Sequence, residues 1–244
     1  MTRELESIRG ELQEFPSERA TQLQAKNANY FWAYVRNGLE AARIFYLMDL
    51  PLKDVHAVIR TTLPELATYL DMGGVVDAGV FRDVLGAALL AADAKLLKWI
   101  LELPPDQYTD PGMQYSEAAY RLVEALQAGG RGDAKGLASS VKKLRASLNP
   151  RKLIVDPRAE KSIFEPPAQL LEAVAAGDQA AFDKAWSSAG AAYKKRYGRP
   201  SDRGDWDGIL DFVALGIARI AENSALKVPA SNPYAPPELL QAPK

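Results

Sequence analysis

The stretch Val80-Phe81-Arg82-Asp83-Val84-Leu85-Gly86-Ala87-Ala88-Leu89-Leu90-Ala91-Ala92-Asp93-Ala94-Lys95-Leu96-Leu97-Lys98-Trp99-Ile100-Leu101 decides the fold. Val80, Phe81, Val84, Leu85, Ala88 and Leu89 recur at the three- and four-residue spacing of one helix face, and Leu96, Leu97, Ile100 and Leu101 do so again. Between the two stripes lies Ala91-Ala92-Asp93. A small residue ends one helix there, and the aspartate can accept from the free N–H groups that open the next. The stretch reads as two helices joined by a tight turn.

The joint recurs. Gly132-Asp133-Ala134-Lys135-Gly136-Leu137 and Ala176-Gly177-Asp178-Gln179-Ala180-Ala181-Phe182 have the same order, and the aspartates stand 40 and 45 residues apart. Stacked pairs of antiparallel helices give such a spacing, and so do three independent good turns. Helical stripes continue in both directions: Phe31, Tyr34, Val35, Gly38, Ala42 and Phe45; Leu52, Val55, Ile59 and Leu63, then Leu66 and Leu70; Leu122, Val123 and Leu126; Leu137, Val141, Leu144 and Leu148; Phe182, Trp186, Ala189 and Tyr193. Pro16-Ser17, Asp49-Leu50-Pro51, Gly73-Gly74, Pro104-Pro105, Gly129-Gly130, Asn149-Pro150 and Pro166-Pro167 read as breaks, with Pro16-Ser17 ending the first helix. Residues 104–116 and 149–167 read as the longest irregular stretches. Only Leu153-Ile154-Val155 has strand character, and one short strand makes no sheet. The expectation is one all-α domain over residues 1–244, an array or bundle of antiparallel helix pairs, with a degenerate α-solenoid as one form of it.

Bulk composition removes several function classes. Of 244 residues, 48% are hydrophobic and 25% charged, which is ordinary for a globular chain. A net charge of -1 supplies no global field to steer nucleic acid or an anionic membrane. No cysteine is present, so disulfides, thiol nucleophiles and thiolate metal sites fall away together. The longest apolar stretch, Ile209 to Ala221, is too short to span a bilayer and carries Asp211 and Arg219. The charged start Met1-Thr2-Arg3-Glu4-Leu5-Glu6 shows no apolar signal core, which sets the expectation of a cytoplasmic protein.

Catalytic constellations are hard to assemble from what remains. The sole histidine, His56, has Asp54 two residues away on a different helix face, and reads as a surface or half-buried helical histidine. One histidine and no cysteine make a zinc site improbable, and no phosphate-loop, dinucleotide or metalloprotease motif occurs. Asp202, Asp205 and Asp207 are the best candidates for a metal or acid/base site, since three close carboxylates can hold a divalent cation. The competing reading makes Asp205 the N-cap, with Asp207 in the first turn, of a helix running from Trp206 to Ala221.

Two basic clusters, Lys142, Lys143, Arg145, Arg151 and Lys152, and Lys194, Lys195, Arg196, Arg199 and Arg203 beside Tyr193 and Tyr197, raise the question of nucleic acid. Basic runs at helix ends ordinarily complement the helix dipole, and the balancing acids argue against that partner. The run Tyr30-Phe31-Trp32-Ala33-Tyr34 covers every face of one helical turn. Neighbouring helices ordinarily bury such a run; a partner-facing hot spot is the alternative, because tyrosine and tryptophan dominate interface energies. The candidate partner-binding residues are therefore Tyr30, Trp32, Tyr34, Asp205, Trp206 and Asp207.

The C-terminal third adds a resemblance. Ala175-Ala176-Gly177-Asp178 opens an amphipathic helix, and an almost wholly apolar element follows over Trp206 to Ala221. Then come Leu226-Lys227-Val228-Pro229 and the ending Pro233-Tyr234-Ala235-Pro236-Pro237-Glu238-Leu239-Leu240. This resembles the immunity protein 49 family, helical proteins encoded beside polymorphic toxins in bacteria. The likeness rests mainly on residues 167–241, and the Ala-rich helices of 77–148 are consistent with it. It implies a non-enzymatic inhibitor without cofactors that binds one cognate toxin, commonly a nuclease, deaminase or other cytosolic enzyme, and occludes its active site. Two other functions fit a helical chain: a helical-repeat scaffold binding a protein or peptide, and a carboxylate-dependent hydrolase. Tetratricopeptide repeats of about 34 residues do not match the observed spacing.

Overall fold

A computed structural model describes residues 2–109, 116–148, 157–198 and 206–241. Among these residues every regular element is a helix, and eleven are α-helices: α1 Thr2–Gln24, α2 Ala28–Leu47, α3 Leu52–Thr62, α4 Glu65–Asp71, α5 Ala78–Ala91, α6 Ala94–Leu101, α7 Glu117–Gly130, α8 Ala134–Ser147, α9 Pro157–Ala176, α10 Gln179–Tyr197 and α11 Phe212–Asn223. The fold is all-α, as the periodicity predicts. Leu153-Ile154-Val155 lie outside the described residues.

The three aspartate joints do what their chemistry dictates. Asp93 accepts from the N–H groups of Lys95 and Leu96, Asp133 from Gly136, and Asp178 from Ala181. Each satisfies a donor that the first turn of a helix leaves without an intrahelical partner. Asp77 and Asp211 cap α5 and α11 in the same way. Gly132 and Gly177 take φ of +70° and +64°, the left-handed turn that stops α7 and α9 just before these caps. Asp178→Ala is expected to lower stability by about 1 kcal/mol and Asp178→Asn by much less, since asparagine caps equally well. Urea unfolding of the two variants checks this.

The joints produce pairs α7–α8 and α9–α10, and α8 packs in turn on α9. The chain closes around two buried helices. α5 buries Phe81, Val84, Leu85 and the run Gly86 to Ala91, and α11 buries its residues from Phe212 to Ala218, Ile220 and Ala221. Helices apolar on every side belong inside. α5 packs on α11, α7 and α3, while α11 also touches α7 and α9. On the other side α1, α3 and α4 surround α2. The buried apolar residues form one cluster running from Ile8 to Leu240.

Two expected breaks are absent and one expected helix starts later. Pro16 does not end a helix, because α1 runs through it. A proline inside a helix costs about 3 kcal/mol. Its neighbour Phe15 offsets that by stacking on Tyr34 (3.5 Å) and Tyr30 (5.3 Å) and meeting Phe31 edge-on (5.9 Å). Pro166-Pro167 are likewise inside α9. There Phe164, Ala168, Leu170 and Leu171 are buried, and Arg145 of α8 bridges Glu165 and Glu172 across the prolines. The stretch 149–167 is thus helical from residue 157 onward. Finally, the helix expected from Trp206 begins only at Phe212, capped by Asp211, and Trp206–Gly208 is a separate 3-10 turn.

His56 is buried rather than at the surface. Its Nε2 lies 2.8 Å from the Leu239 carbonyl oxygen, which can only accept, so Nε2 carries the proton. Burial pushes its pKa below the ordinary histidine range.

Candidate partner-binding face

The last turn of α2 carries Ile44-Phe45-Tyr46-Leu47-Met48, five large apolar side chains that cover every direction around the helix. The core takes Ile44 completely, while Phe45 and Tyr46 are half-buried. Leu47 at 50% and Met48 at 39% are left facing outward, the only large hydrophobic residues exposed among the described ones. Their position follows from how α2 stops. The Leu50 N–H donates to the Phe45 carbonyl and the Asp49 N–H to that of Tyr46, both at 3.0 Å, with Asp49 at φ +54°. This is the double bond of a Schellman ending, and aspartate tolerates its left-handed residue. The chain then turns sharply through Pro51 into α3, and the corner leaves Leu47 and Met48 in the open.

A groove of about 790 Å³ lies beside this corner. Tyr46, Leu47, Asp49, Leu50, Pro51 and Leu52 make one side; Gly208 and Ile209, and then Pro233, Tyr234 and Glu238, make the other. That second side is loop together with the 3-10 turns Trp206–Gly208 and Pro237–Leu240, held by bonds to its backbone and to the backbone that flanks it. The Asp211 N–H donates to the Tyr234 carbonyl (2.8 Å), Trp186 Nε1 to that of Pro229 (2.8 Å), His56 to that of Leu239, and Arg219 to that of Leu240. Tyr46 reaches across to Glu238, 3.4 Å from hydroxyl to carboxylate.

Arg43 anchors the turn that leads into the groove. Its side chain is 5% exposed, pairs with Asp207 at 2.6 Å and Asp83 at 3.4 Å, and lies over the Phe212 ring at 4.8 Å. The Tyr193 hydroxyl is shared between the carbonyl oxygens of Asp207 and Leu210. Behind this network a small cleft of about 50 Å³ is lined by Arg43, Arg82, Asp83, Tyr193, Arg196, Tyr197 and Asp211, among others. Arg82 approaches Asp83 at 3.6 Å. Counting Asp207 with Asp83 and Asp211, three arginines offset three aspartates in this partly buried network.

Burial raises the Asp83 carboxyl above the ordinary range, against the pull of Arg82 and Arg43. Burial likewise pushes Asp211 up to about 6, opposed by its bond from the Ala214 N–H, and raises Tyr193. A carboxyl with a folded pKa above its unfolded value of about 3.9 binds more protons in the native state, so its contribution to stability falls as pH rises from about 4 to about 6. Asp211→Asn keeps the cap and removes the buried charge. It is expected to be more stable than the parent above pH 6, by up to about 3 kcal/mol, with the difference closing toward about pH 4. Urea midpoints of both proteins at several pH values check it; equal midpoints throughout would contradict it.

The sequence candidates divide between two places. Asp207, paired with Arg43, does not line the groove but sits in the 3-10 turn that ends at its lining residue Gly208, and Trp206 opens that turn. Asp205 and Asp202 lie outside the described residues. Tyr30, Trp32 and Tyr34 sit near the other end of α2, roughly 20–25 Å away at about 1.5 Å per residue. Tyr34 is buried against Phe15, half-buried Tyr30 donates its hydroxyl to Glu18 (3.0 Å), and half-buried Trp32 stacks on Tyr69 at 5.3 Å. A shallow pocket of about 160 Å³ lies beside Tyr30 and Tyr34, with Glu14 and Glu18 at its edge.

Of the basic clusters, Arg145 is engaged by Glu165 and Glu172, and Arg196 lies over the Tyr197 ring at 4.9 Å. Arg151, Lys152, Arg199 and Arg203 are outside the described residues. Sequence reasoning missed Leu47 and Met48, although the signal was the one read at Tyr30–Tyr34: an apolar run wider than any single buried face.

Among the described residues no group of three histidine, aspartate or glutamate side chains is placed to hold a metal ion, and no helix is long and apolar enough to cross a membrane. No curated protein and no solved structure matches the chain. The profile of the Immunity protein 49 family matches residues 3–239, nearly the full length, and the chain belongs to that family.

Proposed function

We propose that this protein is an immunity protein that binds a cognate bacterial toxin in the cytoplasm and neutralises it by direct contact, occluding its active site without chemistry of its own. The observation that carries this reading is the family match over residues 3–239. The surface supports it. Leu47 and Met48 are exposed at the edge of a groove whose walls are fixed by backbone bonds. Pre-ordered walls reduce the ordering cost of association. Protection of a cell takes nanomolar binding or better, roughly 12 kcal/mol, which interfaces obtain from a few desolvated anchors. Tyr30 and Trp32 provide a second, half-buried aromatic patch along the same helix.

Co-expression tests this. The toxin encoded beside the gene is produced in a susceptible host with and without this protein, and the purified pair is assayed for complex formation and toxin activity. Survival, a stoichiometric complex and loss of toxin activity are expected. Death at the same rate with and without the protein would refute the proposal.

A further inference from the structure

We infer that the groove beside the C-terminal end of α2 receives a basic side chain of the toxin, flanked by apolar ones, with Asp49 and Glu238 as its counter-charges. The inference rests on the proposed function and adds the chemistry of the partner. Among the described lining residues two are acids and none is a base. Lys53, which follows the lining residue Leu52, is not among them. Asp49 and Glu238 are both exposed, one on each side of the groove. Tyr46 and Tyr234 line the same groove, and aromatic rings attract a guanidinium or ammonium group. Leu47, Leu50, Leu52 and Ile209 offer apolar surface to the stem of a long basic side chain and to its neighbours.

Charge selects among occupants. The acids repel phosphate, which disfavours nucleic acid and anionic lipid. A two-fold contact with a second copy of this chain would set the acidic groove against itself. A basic segment of a protein satisfies both the charges and the apolar rim. Opposite charges across an interface act on the association rate and its salt dependence, and apolar anchors act on dissociation.

The test measures binding of the purified toxin encoded by the neighbouring gene to the full chain and three variants. Asp49→Asn/Glu238→Gln removes both charges, and asparagine keeps the tolerance for the left-handed turn at position 49. Leu47→Ser/Met48→Ser removes the apolar rim at exposed positions without adding charge. Lys135→Glu, on α8, is the charge-changing control. The charge variant is expected to bind about 10-fold more weakly with a flattened salt dependence. The rim variant is expected to lose about 100-fold. The control should stay within about 2-fold, and all three should melt as the parent does. Restoration of binding when a toxin Lys or Arg→Glu change is combined with Glu238→Lys would identify the basic residue received. Tight binding by the parent with both groove variants within about 2-fold of it would overturn the inference and leave the immunity reading standing. A parent that neither binds nor protects would remove both. Concentration-dependent dimerisation abolished by the groove variants would assign the groove to a second copy and overturn the inference.

Discussion

Arg43→Ala is expected to destabilise the protein by about 3–5 kcal/mol, the range for a buried charge pair that loses one partner. Arg43 is almost wholly buried and faces Asp83 and Asp207 together. Asp207 is 50% exposed and can turn to water, so its share is small. Asp83 cannot escape so easily. Its carboxyl is already raised by burial, and Arg43 is one of three cations, with Arg82 and Arg196, that hold it down. Without Arg43 the carboxyl must take up a proton or remain as a poorly compensated buried charge. Two comparisons give the claim its content. Asp207→Asn should cost no more than about 1 kcal/mol. Arg43→Met combined with Asp83→Leu should recover part of the loss, because the Asp83 carboxylate is gone, while Arg82 gives up the acid that it approaches at 3.6 Å. Equilibrium unfolding of the single and double variants measures each quantity. Equal costs for Arg43→Ala and Asp207→Asn would show that the partner of consequence is not Asp83.

Gly86→Ala is expected to cost at least about 2 kcal/mol, although alanine is the better helix former by up to about 1 kcal/mol. Gly86 is where α5 meets the start of α11. A Cβ there would lie 2.0 Å from the Phe212 carbonyl oxygen and 3.0 Å from the Val213 nitrogen. These are backbone atoms of a buried helix, and no rotamer change relieves the contact. Forcing atoms into a packed core costs about 1–3 kcal/mol, and more where the backbone must shift. Gly216 on α11 is the counterpart, since its Cβ would meet the Gly86 Cα at 2.7 Å. Gly132→Ala makes a useful contrast, because an added Cβ there touches nothing and only the φ of +70° is strained. Thermal melts should rank Gly86→Ala below the parent. A melting temperature equal to or above that of the parent would mean that α5 and α11 are not in this contact.

What the sequence shows of this fold is the part set by local chemistry. The joints at Asp93, Asp133 and Asp178 are legible because a small residue followed by aspartate satisfies helix ends without outside help. The prolines mislead for the complementary reason. Pro16, Pro166 and Pro167 do weaken their helices, but Phe15 with its ring partners and Arg145 with Glu165 and Glu172 hold those helices across them. Such partners are supplied from other helices. The same limit explains the helix expected from Trp206. Asp207 reads as a first-turn acid until Arg43, far earlier in the chain, is seen to hold it in a separate turn.

The site shows this division more sharply. Tyr30, Trp32 and Tyr34 attract notice as aromatics, yet Phe15, Glu18 and Tyr69 engage them from within the fold. Leu47 and Met48 carry no special chemistry, and only the Schellman ending at Asp49 places them outside. The groove itself unites residues 46–52, 208–209 and 233–238, which no periodicity connects. Family likeness, by contrast, is readable from the C-terminal segments, and two of them supply Gly208, Ile209, Pro233, Tyr234 and Glu238 to one wall of the groove.

Amide hydrogen exchange of the purified protein, alone and bound to the toxin encoded beside it, tests the central claim most directly. The account predicts slowed exchange on binding in residues 44–52, 208–211 and 233–239, with α6, α7 and α8 unchanged. Slowed exchange confined to α6–α8, or no complex with that toxin at all, would contradict it.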